Sequence, residues 1–253
     1  MKKLIGLVLF LSITVSSFAQ VKIHSHNDYN QAKPLLEAYA YQIDEIEVDV
    51  FLIGDSLIVA HSKKDKNLSR TLDSMYLAPL ASWTKEDVKR GVKTNYGLQL
   101  MIDVKENWDL VYPVLRKEIE KYGDLFNKAT NKDGIQIVIS GNRPNESTFH
   151  TYPQWLFFDG LPNVNYVKAD LSRITMISDN FKNYSKWTGV GEIPVADQAK
   201  LKKTIEQAHQ LKKPIRFWGA PDTVACWKQL HELGVDIINT DKVKECKAYF
   251  YYK

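Results

Sequence analysis

The sequence predicts an α/β protein with the architecture of a (β/α)8 barrel, and two observations support this prediction. Short apolar runs alternate with amphipathic stretches along most of the chain, which is the pattern of strands joined by helices. Eight such runs fall within the roughly 230 residues after the N-terminal segment, which suits the size of this barrel. An open doubly wound sheet of six or seven strands is the alternative. The predicted strands span residues 21–26, 45–50, 56–61, 98–104, 135–140, 164–170, 214–219 and 235–240.

Most of the predicted strands are apolar along nearly their whole length. This is expected of strands that are covered on both faces in a parallel sheet. Between them, residues 108–122, 197–211 and 222–234 repeat apolar residues at helical spacing, and Gly234 marks the end of the last stretch. These stretches predict helices that connect parallel strands.

One junction between predicted strands breaks this alternation. Only a few residues around Gly54 and Asp55 separate the second strand from the third, too few for a crossover helix. We therefore expect a tight turn and an antiparallel hairpin. Counting outward from the turn places His61 opposite Val48, within one residue, and therefore beside Glu47 and Asp49 on the neighbouring strand.

The N-terminus has the features of a signal peptide over residues 1–19. A basic start and an apolar run from Leu4 to Val15 are followed by Ser17 and Ala19 at the spacing that signal peptidase requires. The apolar run is shorter than the roughly 20 residues that cross a bilayer, so a cleaved leader is favoured over a membrane anchor. We expect an exported protein, periplasmic or secreted, with a single domain over residues 20–253.

Composition narrows the possible functions. The 34 basic and 30 acidic residues give a net charge of +4, and two of the lysines lie in the predicted leader, so nucleic acid is not an expected partner. The two cysteines, Cys226 and Cys246, are too few to define a disulfide scaffold. Two buried free thiols are favoured over a bridge. The sequence leaves the oligomeric state open.

Acidic and imidazole side chains collect on the first four predicted strands. They are His24, His26 and Asn27 on the first, Glu47 and Asp49 on the second, His61 on the third, and Asp103 and Lys105 on the fourth. Residues two apart on a strand share a face, and the carboxyl ends of barrel strands meet at one mouth. Neighbouring buried carboxylates repel one another unless a cation neutralises them. Three carboxylates and the amide oxygen of Asn27 form an all-oxygen set that suits Mg²⁺ or Ca²⁺.

The histidines of this set suit proton transfer. His26 and His61 can act as general acid and base, because imidazole titrates near neutral pH. In phosphodiester cleavage one histidine would deprotonate the attacking oxygen and the other would protonate the leaving oxygen, with Lys105 and the cation stabilising charge on the phosphoryl group. On a strand His24 shares a face with His26, so which of the two acts stays open. A serine nucleophile elbow, a P-loop and a zinc-binding H-E-x-x-H helix are absent from the sequence.

Four segments resemble the superfamily of phosphatidylinositol-specific phospholipases C and glycerophosphodiester phosphodiesterases. They are "SHNDY" (25–29), "IEVDV" (46–50), "LIVAH" (57–61) and "MIDVK" (101–105), in the family's order. The resemblance implies a distorted TIM barrel. It also implies catalytic roles for His26 and His61 and metal-binding roles for Asn27, Glu47, Asp49 and Asp103. Lys105 and Trp218, the latter in "IRFWG", would then contact the substrate.

The segments "HSHNDY", "VAH" and "RTLDSMYLAPL" are most similar to one branch of this superfamily, found in bacteria and fungi. The H-R-G signature of glycerophosphodiesterases is missing, since Asn27 and Asp28 follow His26. This departure argues against glycerophosphodiesters as substrates. The segment at residues 74–83 is predicted to be an apolar loop, for which packing is favoured over a role as a lid or lipid contact. We assign no role to His150, His209 and His231.

The sequence thus predicts a metal-dependent phosphoric diester hydrolase, similar to phospholipases C and D or to glycerophosphodiesterases. Its expected substrate is a small-molecule or lipid-derived phosphodiester, and contact with a membrane surface would be transient. Two alternatives stay open. One is a catalytically inactive barrel that binds phosphorylated or carbohydrate ligands, and the other is a metal-dependent hydrolase of a different bond.

Overall fold

A computed structural model describes residues 20–90 and 97–252 of the chain. The predicted signal peptide lies outside the described residues. The strands in the described part are β1 (Lys22–Ser25), β2 (Glu45–Ile53), β3 (Ser56–Val59), β4 (Gln99–Val104), β5 (Gln136–Gly141), β6 (Leu156–Gly160), β7 (Ile174–Asn180), β8 (Ile215–Trp218) and β9 (Ile237–Thr240). The α-helices are α1 (Leu36–Ala40), α2 (Ala78–Lys89), α3 (Trp108–Glu120), α4 (Lys168–Leu171), α5 (Val195–Gln210), α6 (Val224–Leu233) and α7 (Val243–Tyr251).

Eight of these strands form a closed parallel barrel. Around the barrel the order is β1, β2, β4, β5, β6, β7, β8 and β9, and the barrel closes where β9 pairs with β1. The fold is therefore a TIM (β/α)8 barrel, as predicted, and not an open doubly wound sheet. The remaining strand, β3, lies outside the barrel and pairs antiparallel with β2.

The predicted hairpin between β2 and β3 is confirmed. Ile53 pairs with Ser56 across a turn at Gly54 and Asp55, and Val50 pairs with Val59. Continued beyond the last paired residues, this register places His61 opposite Val48. The backbone N–H of Ala60 lies 3.4 Å from the carbonyl oxygen of Asp49, so the residues that follow β3 lie beside Asp49 on β2.

Two barrel strands differ from the prediction. The strand predicted at residues 164–170 is wrong, because this segment runs without strand pairing into the short helix α4. Its Val167 side chain is 61% exposed, so the apparent alternation does not cover a core. The strands that complete the barrel are instead β6 and β7, which the sequence did not predict.

The helices predicted at 108–122, 197–211 and 222–234 are confirmed as α3, α5 and α6. The loop predicted at residues 74–83 is wrong, because a π-helical turn over Asp73–Leu77 leads directly into α2. Tyr76, Leu77 and Leu80 are fully buried there. This segment therefore packs against the barrel, the role that was favoured for it.

Apolar side chains form two core regions. The larger lies between the barrel strands and the surrounding helices. The smaller contains Met101, Val138, Met176 and Ile237. The strand register places Met101 beside Glu47 and Val138 beside Met101, so this cluster fills the barrel interior below the polar side chains at the carboxyl ends of the strands.

None of the helices in the described residues is long and apolar enough to cross a membrane.

Both cysteines are buried free thiols, Cys226 on α6 and Cys246 on α7. Burial raises the pKa of Cys226 to about 12 and also raises the pKa of Cys246. The thiols are therefore protonated and shielded from solvent. This confirms that free thiols, and not a bridge, were the correct interpretation.

Candidate active site

The eight predicted site residues line a single cavity at the carboxyl ends of the barrel strands. Its volume is about 460 Å³. The predicted residues in its wall are His26, Asn27, Glu47, Asp49, His61, Asp103, Lys105 and Trp218. Their convergence is a property of the structure, whereas their chemical roles stay predictions.

The structure distinguishes the two histidines of the first strand. His26 lies just beyond β1 and faces the cavity, and its Nδ1 atom is 2.8 Å from Oδ1 of Asp241. Burial lowers the pKa of His26, but the hydrogen bond to Asp241 and the charge of Glu47 outweigh this effect, so the pKa lies above its usual value. His24 is fully buried and is not among the described residues that line the cavity.

His24 instead contacts two acidic residues of β2. Its Nδ1 is 3.0 Å from Oε2 of Glu45, and its Nε2 is 2.6 Å from Oε2 of Glu47. A ring held from both sides in this way fixes the orientation of Glu47. His24 is therefore placed to position an acidic residue of the cavity, and His26 is the histidine that can reach a ligand.

A buried hydrogen-bond network holds the loop after β1. The carboxylate of Asp28 accepts hydrogen bonds from the hydroxyl of Ser25 at 3.0 Å, the backbone N–H of Leu35 at 2.6 Å and the hydroxyl of Tyr76 at 2.9 Å. Arg70 donates to the carbonyl oxygen of Tyr29 at 2.6 Å. The segments "SHNDY" and "RTLDSMYLAPL" are thus in direct contact, and the second supports the first.

Three carboxylates form an acidic cluster on β2 and β4. Glu47, Asp49 and Asp103 each contribute an oxygen, and these oxygens lie within 4.8 Å of one another. Asp49 and Asp103 are direct neighbours in the strand register. Burial raises the pKa of Asp49 to about 6, and the charges of Asp103 and Glu47 add to this rise while Lys105 opposes it. Burial and the charge of Glu47 raise the pKa of Asp103 as well.

Glu47 is held in its charged form by its cationic neighbours. Burial alone would raise its pKa, but the hydrogen bond and charge of His24 and the charges of Arg216 and His26 lower it well below its usual value. The Nη1 atom of Arg216 is 3.2 Å from Oε2 of Glu47. Glu47 is therefore a carboxylate at neutral pH.

The acidic cluster fits a hard divalent cation. Within the described residues, Oδ1 of Asp49 and Oδ1 of Asp103 are buried and have no hydrogen-bond partner. Buried carboxylate oxygens are normally paired, so two unpaired ones at the same place indicate a missing positive partner. Gly141, at φ +70°, leaves the space that Oδ1 of Asp103 occupies, because a Cβ atom there would overlap with it. The all-oxygen set suits Mg²⁺ or Ca²⁺.

Tyr29 connects three of the predicted residues, although sequence analysis gave it no role. Its hydroxyl oxygen is 2.8 Å from Oδ1 of Asn27, 2.8 Å from Oδ2 of Asp49 and 3.1 Å from Nδ1 of His61. Burial and the charge of Asp49 raise its pKa, so the phenol stays protonated. Its position in the "SHNDY" segment is the feature of the sequence that could have identified Tyr29 as a site residue. The exposed ring of His61 is thus oriented by a neutral hydroxyl.

Arg216 and Asp159 form the opposite wall and were also missed. The Nη2 atom of Arg216 is 3.3 Å from Oδ2 of Asp159, which also accepts a hydrogen bond from the hydroxyl of Ser178. Within the described part of the chain, Nε of Arg216 and Oδ1 of Asp159 have no partner. Arg216 is two residues before Trp218 and so shares its face of β8, which was the signal available in the sequence. Asp159 lies on β6, a strand that was not predicted.

The remaining histidines lie outside this cavity. His150 is 2.7 Å from the buried carboxylate of Asp170, and His209 is 2.8 Å from Asp236. The ring of His231 packs at right angles to that of Phe250. These contacts fasten loops and helices to their neighbours, which is consistent with assigning the three residues no catalytic role.

Comparison with known families gives one match that covers more than half of the chain. Residues 13–159 match a family model described as the AIM6-like phosphodiesterase domain. The matched range contains seven of the eight predicted site residues, all except Trp218.

Curated relatives include fungal proteins named altered inheritance of mitochondria protein 6. The homolog from Arthroderma benhamiae is 26% identical over 269 residues, which cover 91% of this chain and 84% of the relative. The protein from Lachancea thermotolerans is 25% identical over 277 residues, covering 88% of this chain and 64% of the relative. The chain therefore spans just under two thirds of the length of the second protein.

Two solved structures share the fold. One is a calcium-dependent phosphoinositol-specific phospholipase C from Pseudomonas, with a TM-score of 0.52, 12% identity and coverage of 88% of both chains. The other is a glycerophosphodiester phosphodiesterase from Agrobacterium tumefaciens, with a TM-score of 0.50, 15% identity and coverage of 90% of this chain and 99% of that one. At these identities the likeness concerns the barrel fold alone.

Proposed function

The chain belongs to the AIM6-like phosphodiesterase family, and from this premise we propose that it is a metal-dependent phosphoric diester hydrolase with His26 and His61 as general acid and base. One observation carries the proposal. A single cavity combines an acidic cluster that has two unpaired buried oxygens with one histidine near Glu47 and another near Asp49.

The contacts of the two histidines indicate which ring nitrogen of each would meet a ligand. Asp241 accepts a hydrogen bond from Nδ1 of His26, so a ligand would reach Nε2, where it would replace the Asn27 amide nitrogen that lies 3.2 Å away. The Tyr29 hydroxyl, when it donates to Asp49 or Asn27, accepts from Nδ1 of His61, which leaves a lone pair on Nε2 of His61. Such an imidazole can take a proton from an attacking water or hydroxyl group, and its partner can return one to the leaving oxygen.

Cationic groups complete the proposed chemistry. A divalent cation held by Glu47, Asp49, Asp103 and Asn27 would neutralise the carboxylates and polarise the phosphoryl group. Lys105 lines the same cavity. Burial lowers the pKa of its ammonium group, but the charges of Asp103 and Asp49 outweigh this effect and raise the pKa, so the group is charged. Its ammonium group would stabilise negative charge that develops on the phosphoryl oxygens. The exposed Trp218 ring would contact the organic part of the substrate.

The test is turnover by the purified protein of bis-p-nitrophenyl phosphate and of a lysophospholipid, with the products identified by phosphorus NMR. We expect activity with Mg²⁺ or Ca²⁺ that a chelator abolishes. His26→Ala and His61→Ala should each lower the rate by about 10²- to 10⁴-fold. His209→Ala is the matched control, because His209 also pairs with an acidic residue but lies outside the cavity.

Two outcomes would contradict the proposal. Full activity of His61→Ala would exclude the assignment of acid and base. Tight retention of a phosphodiester without any product over long incubation would favour a binding protein built on the same barrel.

We further propose that the protein is exported and acts outside the cytoplasm, from the basic start and apolar run of residues 1–19. Mass spectrometry of the protein from its native host should find Gln20 as the first residue. A retained Met1 would contradict this proposal.

A further inference from the structure

A second cavity adjoins the candidate active site at the ends of β7 and β8. It has a volume of about 530 Å³ and shares Gly219 with the active-site cavity. Its apolar wall is formed by Phe181, Trp187, Ala220 and Pro221, with Thr188 beside them. We call this feature the apolar groove.

The wall of the groove is preformed. Phe181 is buried, and the Trp187 ring packs partly against the main core. The indole N–H of Trp187 donates to the carbonyl oxygen of Val190 at 2.8 Å, and its backbone N–H donates to the hydroxyl of Ser185 at 3.1 Å. A ligand that enters the groove therefore meets a wall that is already ordered, which lowers the entropic cost of binding.

The active site has a polar neighbour at another part of its rim. A cavity of about 720 Å³ shares Arg143 with the active site and is lined by Asn107, Asn142, Thr148 and other polar residues. The catalytic cavity is thus flanked by one polar and one apolar cavity. This asymmetry matches a phosphodiester whose two ester groups differ in polarity.

We propose that the apolar groove is a subsite for the apolar ester group of an amphiphilic phosphodiester. The proposal rests on the proposed function, because the ester group would reach the groove from the active-site cavity past Gly219, which lines both. The Trp218 side chain, which is 41% exposed and lines the active-site cavity, directly precedes this shared residue. Lys182 and Lys186, both exposed, also line the groove and attract the anionic phosphodiester.

The experiment measures binding of butyl, hexyl and octyl phosphocholine to the full protein by calorimetry. Each probe is kept monomeric, and a chelator is present to prevent turnover. We expect the affinity to rise by about two- to fourfold for each added methylene that the groove buries. An affinity that does not depend on chain length would overturn the proposal, and so would binding to phosphocholine vesicles without binding to the monomers.

Variants at one position show whether the groove is responsible. Thr188 is exposed and lines the groove, so Thr188→Asp adds a charge there without removing a buried side chain. This variant should lose the dependence on chain length, whereas the similarly shaped Thr188→Val should retain it. Val167→Asp adds the same charge at an exposed valine that lines a different cavity, and it should behave as the unmodified protein does. A chain-length dependence that survives Thr188→Asp would exclude the groove.

The results distinguish an error in the proposed function from an error in the proposed subsite. Chain-length-dependent binding without turnover of any diester would retain the subsite and reject the hydrolase. Turnover of diesters combined with binding that ignores chain length would retain the hydrolase and reject the subsite.

Discussion

The ammonium group of Lys105 lies 3.0 Å from Oδ2 of Asp49 and 3.0 Å from Oδ2 of Asp103. It bridges the Oδ2 atoms of two acids whose Oδ1 atoms are buried and, within the described residues, have no hydrogen-bond partner. Lys105 therefore neutralises only one side of the acidic cluster. A cation on the other side would experience repulsion from this ammonium group but not direct competition for the same oxygens.

Lys105→Met separates cation binding from catalysis. We expect Mg²⁺ or Ca²⁺ to bind at least as tightly as before, because a nearby positive charge has been removed. Turnover should nevertheless fall about 100-fold, since the charge that we propose stabilises the phosphoryl oxygens is lost. Calorimetry with the cation alone and initial rates at saturating cation measure the two effects, and a loss of cation binding would contradict this view of the cluster.

Gly141→Ala should damage the cation site through Asp103. A Cβ atom at this position overlaps with Oδ1 of Asp103 and with the backbone of Val104, so the carboxylate must move. We expect cation affinity to fall about 10- to 100-fold. Gly191→Ala is the control, because Gly191 has nearly the same positive φ but open space around it. That variant should lose only about 1 kcal/mol of stability, with unchanged cation affinity.

Asp28→Asn tests the support of the "SHNDY" loop. Both carboxylate oxygens of Asp28 accept hydrogen bonds, so an amide would remove the charge that strengthens them and would force the Ser25 hydroxyl to accept instead of donate. We expect a loss of about 2 kcal/mol in the free energy of unfolding, together with lower activity, because His26 and Asn27 precede this residue. Asp55→Asn in the exposed hairpin turn should change stability by less than about 0.5 kcal/mol. Equal stability of the two variants in urea would argue against the network.

Glu118 on α3 should make stability depend on pH independently of the active site. Burial and the charge of Asp73 raise its pKa to about 7 from the ordinary value of 4.5. The protonated form therefore stabilises the fold below pH 4.5, and this contribution is lost as the pH rises through about 7. Glu118→Gln should remove this loss and be more stable than the parent at pH 8, by about 1 kcal/mol after allowance for solvent screening.

Urea unfolding at several pH values measures the effect at Glu118. Glu120→Gln provides the control on the same helix, because Glu120 is exposed and pairs with Arg116 at the surface. The control should keep the pH dependence of the parent protein. An unchanged pH dependence in Glu118→Gln would show that this carboxyl group is not the cause.

The parts of the site that lie close together in sequence could be predicted, because strand geometry alone determines them. Glu47 and Asp49 share a face by alternation, as do Asp103 and Lys105, and parallel strands bring both pairs to one end of the barrel. The pair of Arg216 and Glu47 could not be predicted in this way. It joins residues 169 positions apart and depends on the closure of the whole barrel.

The missed strands have a local cause. The apolar part of β6 is short, from Leu156 to Phe158, and β7 mixes apolar residues with Thr175 and Ser178. Residues 164–170 imitate a strand more closely than either. Their structure is decided by a tertiary contact instead, since Asp170 accepts hydrogen bonds from the backbone and ring of His150. Local sequence patterns do not contain such contacts.

Closure of the barrel between its first and last strands has a consequence for synthesis of the protein. His26 depends on Asp241, which lies 215 positions further along the chain, and the hydroxyl of Tyr251 binds the backbone of Val21. A nascent chain on the ribosome therefore carries every acidic residue of the cluster long before the partner of His26 has been translated. The barrel, and with it the cavity that contains His26, can therefore close only after β9 has been synthesised.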